Sequence, residues 1–213
     1  MGLINKVALG LGALLLIGIA VGWFFQAQIG MQAFRLAAAD RLAIDIVAEL
    51  DDGLHVGLCG TGSPMPSLDR AGPCNVVIAG EQVFIVDIGE GGNEVLNVMG
   101  ISTGSVDAAL LTHFHSDHID GMGPLMLLHW VRGTASAPLP VYGPPGVEAI
   151  VDGFNAVYAT DDTYRIAHHG EEVLPPARNG AVARPFEIEG DTVVVLERGE
   201  LTVTAFRVDH RPV

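Results

Sequence analysis

Positive charge is scarce in this chain: 11 lysines and arginines stand against 25 aspartates and glutamates, a formal net charge of −14 at pH 7. A surface this acidic repels a polyanion, and no basic stripe interrupts it, so the sequence sets nucleic acid aside as a partner. Cysteine is nearly absent. Cys59 and Cys74 are the two present. They can join in an oxidising compartment or sit as ordinary buried thiols near strand ends, and both readings stay open. Repeats and low-complexity tracts are missing too. With 49% hydrophobic and 17% charged residues the chain is not disordered, and one globular domain beside a membrane segment is the natural expectation.

Much of the apolar excess lies at the start. Residues 7–25 run without a charge, after Lys6 and before the more polar stretch 26–32. As a helix that run is roughly 28 Å long, close to a bilayer's hydrocarbon core. A soluble helix would show a polar face over so many turns. The run exceeds an ordinary signal-peptide core, and Trp23, Phe24, Phe25 and Gln26 offer no small-residue cleavage site, so a retained signal anchor is expected. Trp23 and the two phenylalanines then sit at the interface. The expected organisation is a short flank over 1–6, a transmembrane helix or signal anchor over 7–25, a linker over 26–52 containing an amphipathic helix at 33–50, and a domain over 53–213. The protein is therefore expected to be single-pass, with its domain periplasmic or otherwise extracytoplasmic.

From Leu54 onward short β-branched runs separated by turn signals predict strands at 54–59, 75–79, 83–87, 108–112, 139–142, 192–196 and 201–208. Helices are predicted at 93–99, 119–131 and 147–158, the last after the Pro144, Pro145, Gly146 stop. Hairpins first and strand–helix alternation afterwards indicate a layered α/β domain.

Chemistry concentrates in one place. His113, His115 and His118 fall within six residues, with Asp117 among them, in a chain of only eight histidines. The segment follows an apolar strand, where ligand sites gather in α/β sheets. Residues two apart on extended backbone point the same way, which aims His113 and His115 at one metal. Asp117 and His118 come after the chain turns and can face a second metal, completing the nitrogen and oxygen donors that Zn²⁺ accepts. Fe²⁺ or Mn²⁺ could use the same donors.

The run from His113 to Gly121, HFHSDHIDG, resembles the HxHxDH signature of the metallo-β-lactamase superfamily. Phe84 to Gly91 resembles that family's strand ending in an aspartate and a glycine-rich turn, which implies that Asp87 supports the metal loop from behind. Gly60, Thr61, Gly62, Ser63 and Pro64, with Arg70 and Pro73, resemble the opening loop of the ribonuclease Z and arylsulfatase-like branch. Val208, Asp209 and His210 resemble its third-histidine motif, which implies that His210 completes the first metal site. The resemblance covers residues 54–213 and implies an αββα sandwich, largely its N-terminal half, preceded by the transmembrane helix. Beyond the third histidine the family continues to a bridging aspartate and a final histidine, and this sequence stops three residues past His210. A domain incomplete at its C-terminus is therefore expected, with two zinc ions in the complete family site and one full ligand set here: His113, His115 and His210.

The resemblance implies hydrolysis by metal-activated water, with Asp117 orienting that water or taking its proton. Because the charge disfavours RNA and an exported domain would not meet transfer RNA, small sulfate or phosphate esters rank first as substrate. Ribonuclease Z-like processing of transfer RNA 3′ ends ranks second, lactam hydrolysis third. A non-catalytic zinc-binding membrane protein is the competitor from another class. The expected partners are a small anionic ester, the membrane, and a homodimer as the assembly to test.

Other features have plainer readings. Pro64 and Pro66 prevent the helix that a phosphate loop at Gly60, Thr61 and Gly62 would need, so Gly60 to Ser63 is read as a rim of the metal pocket, with plain turn chemistry as its alternative. His168 and His169 are expected after a short strand at 164–167, where His169 could touch substrate or form a structural pair. His129 is read as packing.

Overall fold

The computed structural model describes residues 2–42, 46–65, 67–133 and 136–210. It divides into two compact units, Met1–Ile44 and Asp45–Val213. The first unit is one helix, α1 (Leu3–Leu42), within which Gly10–Ala33 is long and apolar enough to cross a membrane by length and composition, at a mean hydropathy of 1.9. The linker helix expected at 33–50 is not a separate element. Its first part continues α1, a 3₁₀ turn occupies Val47–Glu49, and residues 43–45 lie outside the described set.

The second unit is built on a six-stranded sheet in the order β1 to β6: β1 (Leu54–Gly60), β2 (Cys74–Ala79), β3 (Gln82–Ile88), β4 (Val106–Leu110), β5 (Leu139–Gly143) and β6 (Ala181–Pro185). The first three strands pair antiparallel and the rest parallel. This change follows the connections: a short turn joins β2 to β3, whereas helices carry the chain between later strands. The helices are α2 (Gly92–Val98), α3 (Ser116–Ile119), α4 (Met122–Arg132) and α5 (Val147–His169). One core gathers Val76, Ile85, Ile88, Leu96, Leu125, Val141 and Val151, with Ile46, Val47 and Leu50 packed against it. Each such side chain stabilises the fold by about 1.5–3 kcal/mol when fully buried.

The opposite side of the sheet carries a hairpin, β7 (Thr192–Arg198) with β8 (Leu201–Phe206). Leu196 packs there with Phe84 and Ala108. Arg198 fastens the hairpin, donating from Nη1 to Asp107 Oδ1 at 3.0 Å while its guanidinium lies 5.8 Å from the centre of the Phe84 ring. Cys59 and Cys74, at facing strand ends with Cα atoms 4.9 Å apart, form a disulfide.

Two elements depart from the expected pattern. The strand expected at 164–167 is helical: α5 continues to His169 and stops at Gly170, whose φ of 84° suits glycine and whose N–H closes on the Ile166 carbonyl. The pair Asp161 and Arg165, one turn apart, supports this extension. Strand β6 was not expected, because Ala181–Pro185 is short, weakly apolar and ends in proline, a residue tolerated at a sheet edge. The helix predicted over 119–131 is divided into α3 and α4 at Asp120 and Gly121.

Candidate metal centre

Strand β3 ends in a distortion that the site depends on. Val86 pairs with Asn75 and Ile88 with Cys74, so Asp87 is an extra residue in the ladder. Its φ of 56° is the one positive value at a non-glycine residue among those described, and the side chain is buried. Such a bulge re-aims a side chain, and aspartate tolerates the left-handed region better than most residues. The redirected carboxylate accepts from Thr112 N–H at 2.8 Å, from the Thr112 hydroxyl at 2.7 Å and from His118 Nδ1 at 2.8 Å. A strained residue of β3 thus holds both ends of the motif segment.

Glycines let that segment come close. A Cβ on Gly89 would lie 2.2 Å from the Asp117 carbonyl oxygen, and one on Gly121 would lie 2.6 Å from the Gly89 carbonyl oxygen. The Gly121 N–H donates to the Ile88 carbonyl, and Asn93 Nδ2 donates to the Gly121 carbonyl. Backbone packs on backbone here, so any side chain would push the loop off the sheet.

On this base three imidazoles converge. One ring nitrogen from each of His113, His115 and His210 lies within 4.8 Å of the others. His113 Nε2 is 2.9 Å from His115 Nδ1, and the His210 ring centre is 4.8 Å from that of His113 and 5.5 Å from that of His115. His118 stands beside them, its ring centre 4.1 Å from that of His113. Burial first, then the nearby His118 and His115, holds the His113 imidazole below its ordinary 6.5, with Asp87 opposing and His210 adding to the lowering. Neutral imidazole is the form that binds metal. A close group of ring-nitrogen donors, beside which His118 is fixed from behind by a carboxylate, suits Zn²⁺.

His118 uses Nδ1 on Asp87, leaving Nε2 3.8 Å from Asp117 Oδ2. Asp117 also lines a second cleft, of about 660 Å³, with Ser63, Asp69, Arg70, Glu90 and Asp120. His113, His118 and His210 open instead on a cleft of about 890 Å³, lined also by Thr112, Phe186, Ile188, Phe206 and Arg207, whereas His115 lines neither cleft.

Of the loop read as a rim, Ser63 lines a cleft, and it is the acidic one. Gly60, Thr61 and Gly62 line neither cleft. Gly60 and Gly62 are occupied with chain packing: a Cβ on Gly60 would lie 1.7 Å from the Gly72 carbonyl oxygen, and Gly62 N–H donates to the Ala71 carbonyl. His169 is exposed at the end of α5 beside His168, outside both clefts. His129 is buried among core side chains, and burial lowers its pKa. Sequence reasoning missed Thr112, Phe186, Phe206 and Arg207. Thr112 directly precedes the motif, so its place was available as a signal; the other three reach the cleft through the hairpin and the segment leading to it.

The family described as anti-Pycsar protein Apyc1 matches residues 54–139. The chain is 40% identical to ribonuclease Z of Mycobacterium bovis (strain BCG / Pasteur 1173P2) over 163 residues, which are 75% of this chain and 55% of that protein. It is 40% identical to ribonuclease Z of Mycolicibacterium gilvum (strain PYR-GCK) over 163 residues, 75% of this chain and 54% of the relative. The chain thus spans about half the length of the curated relatives it matches. Its fold is similar to that of human tRNase Z, short form, at a TM-score of 0.55 and 24% identity, over 73% of this chain and 61% of that one.

Proposed function

We propose that this chain, which belongs to the metallo-β-lactamase superfamily and is ribonuclease Z-like, carries the metal centre of a zinc-dependent hydrolase that cleaves phosphodiester bonds, with RNA as its leading substrate. The observation that carries this reading is the meeting of His113, His115 and His210 nitrogens within 4.8 Å of one another. These three would hold the first metal, and His118 Nε2 with Asp117 would serve a second. A bound metal supplies Lewis-acid polarisation and lowers the pKa of water. Asp87 holds His118 from behind. Asp117, 3.8 Å from His118 Nε2, would be the residue to orient an attacking water or take its proton. Arg207, on the histidine cleft, offers a cation to a phosphoryl oxygen.

This reading reverses the ranking drawn from charge. Net charge governs long-range steering, whereas holding one phosphodiester depends on the donors inside the cleft, so a sum of −14 does not decide the substrate. The ribonuclease names of the relatives support RNA over a sulfate ester. A second reading, a smaller phosphodiester, is favoured by the cleft lining, where Arg207 stands among Glu187 and Asp209.

The helix layer, sheet and hairpin support an αββα sandwich in which β7 and β8 belong to the second sheet. The apolar stretch of α1 supports a single-pass anchor and the disulfide supports an oxidising compartment, where the RNA met would be other than the transfer RNA of the cytoplasm. Cleavage of precursor tRNA, bis(p-nitrophenyl) phosphate and p-nitrophenyl sulfate, assayed side by side, tests the substrate class. The reading expects phosphodiester turnover that chelation removes; sulfate hydrolysis without phosphodiester cleavage overturns it.

A further inference from the structure

We propose that Thr112 is a positioning residue whose hydroxyl fixes the ring tautomer of His113, so that one carboxylate, Asp87, sets the proton positions of two imidazoles at once. The proposal rests on the metal-site reading above for its functional meaning, and on hydrogen-bond geometry for its content.

The Thr112 Oγ1 atom lies 2.7 Å from Asp87 Oδ2 and 3.0 Å from His113 Nδ1. A hydroxyl has a single proton, and a carboxylate can only accept. The Thr112 proton therefore goes to Asp87, and toward His113 the oxygen is left with lone pairs alone. Nδ1 of His113 must then be the protonated nitrogen, donating to Thr112, and Nε2 carries the free lone pair. His113 Nε2 is the ring nitrogen that faces His115, at 2.9 Å.

His118 receives the same instruction without an intermediary. Its Nδ1 lies 2.8 Å from Asp87 Oδ2, so Nδ1 is the donor and Nε2 is free. Thr112 is also fixed through its backbone, because its N–H donates to Asp87 Oδ1 at 2.8 Å. Removing the hydroxyl leaves that bond in place, which separates the tautomer role from a role in holding the loop. A histidine ligand is ordinarily oriented by a hydrogen bond from its other nitrogen, and here a threonine extends the reach of the carboxylate to a second ring.

The test compares Thr112→Val and Thr112→Ser with the unaltered full chain in detergent, ¹⁵N-labelled at histidine and free of metal at a pH above 7. Long-range ¹H–¹⁵N correlation reads which nitrogen of His113 carries the proton. The unaltered chain and Thr112→Ser should show the Nδ1–H form, and Thr112→Val should lose it. Zinc affinity, measured by competition with a chromophoric chelator, should fall about 10–100-fold in Thr112→Val and recover in Thr112→Ser. His113 remaining Nδ1–H in Thr112→Val overturns the proposal, as does a serine variant that behaves like the valine one. If the unaltered chain shows the Nδ1–H form but takes up no zinc, the hydrolase reading fails while the tautomer assignment stands.

Discussion

Two clefts flank the segment from His113 to His118, and they hold opposite chemistry. One gathers imidazoles with the apolar side chains of Phe186, Ile188 and Phe206; the other gathers Asp69, Glu90, Asp117 and Asp120. The division follows the backbone. His115 is extended, with φ −61° and ψ 144°, and α3 begins at Ser116, so side chains after that point leave the direction shared by His113 and His115. Asp87 then brings His118 back to the histidine side. One turn and one buried carboxylate thus send Ser116 and Asp117 to one cleft and His113 and His118 to the other, a division that a linear motif does not reveal.

Removing the sorting carboxylate should have the largest effect. Asp87→Ala takes away the acceptor for Thr112 and His118, so zinc affinity in a chelator competition should fall about 10–100-fold. Unchanged affinity would mean that the histidine cleft organises itself without β3. Gly89→Ala attacks the close packing beneath the motif segment, because its Cβ meets the Asp117 carbonyl and Gly72 backbone, neither of which can swing aside. Overpacking of this kind costs about 1–3 kcal/mol, read from the urea midpoint of the domain. A midpoint equal to that of the unaltered chain would show that the loop does not rest on the sheet as described.

A smaller effect concerns pH. His129 is buried with Nδ1 unpartnered, and burial lowers its pKa from 6.5 in spite of a raising backbone hydrogen bond at Val106. The unfolded chain therefore takes up this proton first as pH falls. The stability contributed by the neutral ring is complete above 6.5, declines as pH drops below it, and levels off beneath the folded value. Replacing His129 with glutamine should make the urea midpoint of metal-free protein fall less steeply below pH 6.5; an equal slope would contradict the assignment. Smallest of all, Ser63→Ala lies on the acidic cleft and should leave zinc affinity unaltered. A marked loss there would show that Ser63, and not Asp117 alone, reaches the metal centre from the acidic cleft.

Much of this was legible beforehand for physical reasons that can be named. Strands with β-branched runs, such as Val83 to Val86, announce themselves, and three histidines around an aspartate after a strand end have few uses besides metal. The pairing of His210 with His113 and His115 came from resemblance, since nothing local in Val208, Asp209 and His210 dictates a contact across 95 residues of chain (210 − 115). The extension of α5 escaped because its second half has little apolar face, so helix-ending signals at Gly170 had to be weighed against a run, Tyr164 to Ala167, with strand-like composition. The plain role of Gly60 and Gly62 escaped because glycine serves a ligand rim and a close backbone crossing equally well. Thr112 escaped because a threonine at the end of a strand is common, and only coordinates show which carboxylate its hydroxyl meets.

Zinc titration of the full chain beside its His113→Ala, His115→Ala and His210→Ala variants tests the central claim most directly. If the three rings share one ion, the unaltered chain takes up zinc tightly and each variant loses that binding to a similar degree. Tight zinc binding that survives in His210→Ala would show that the third imidazole stands outside the centre.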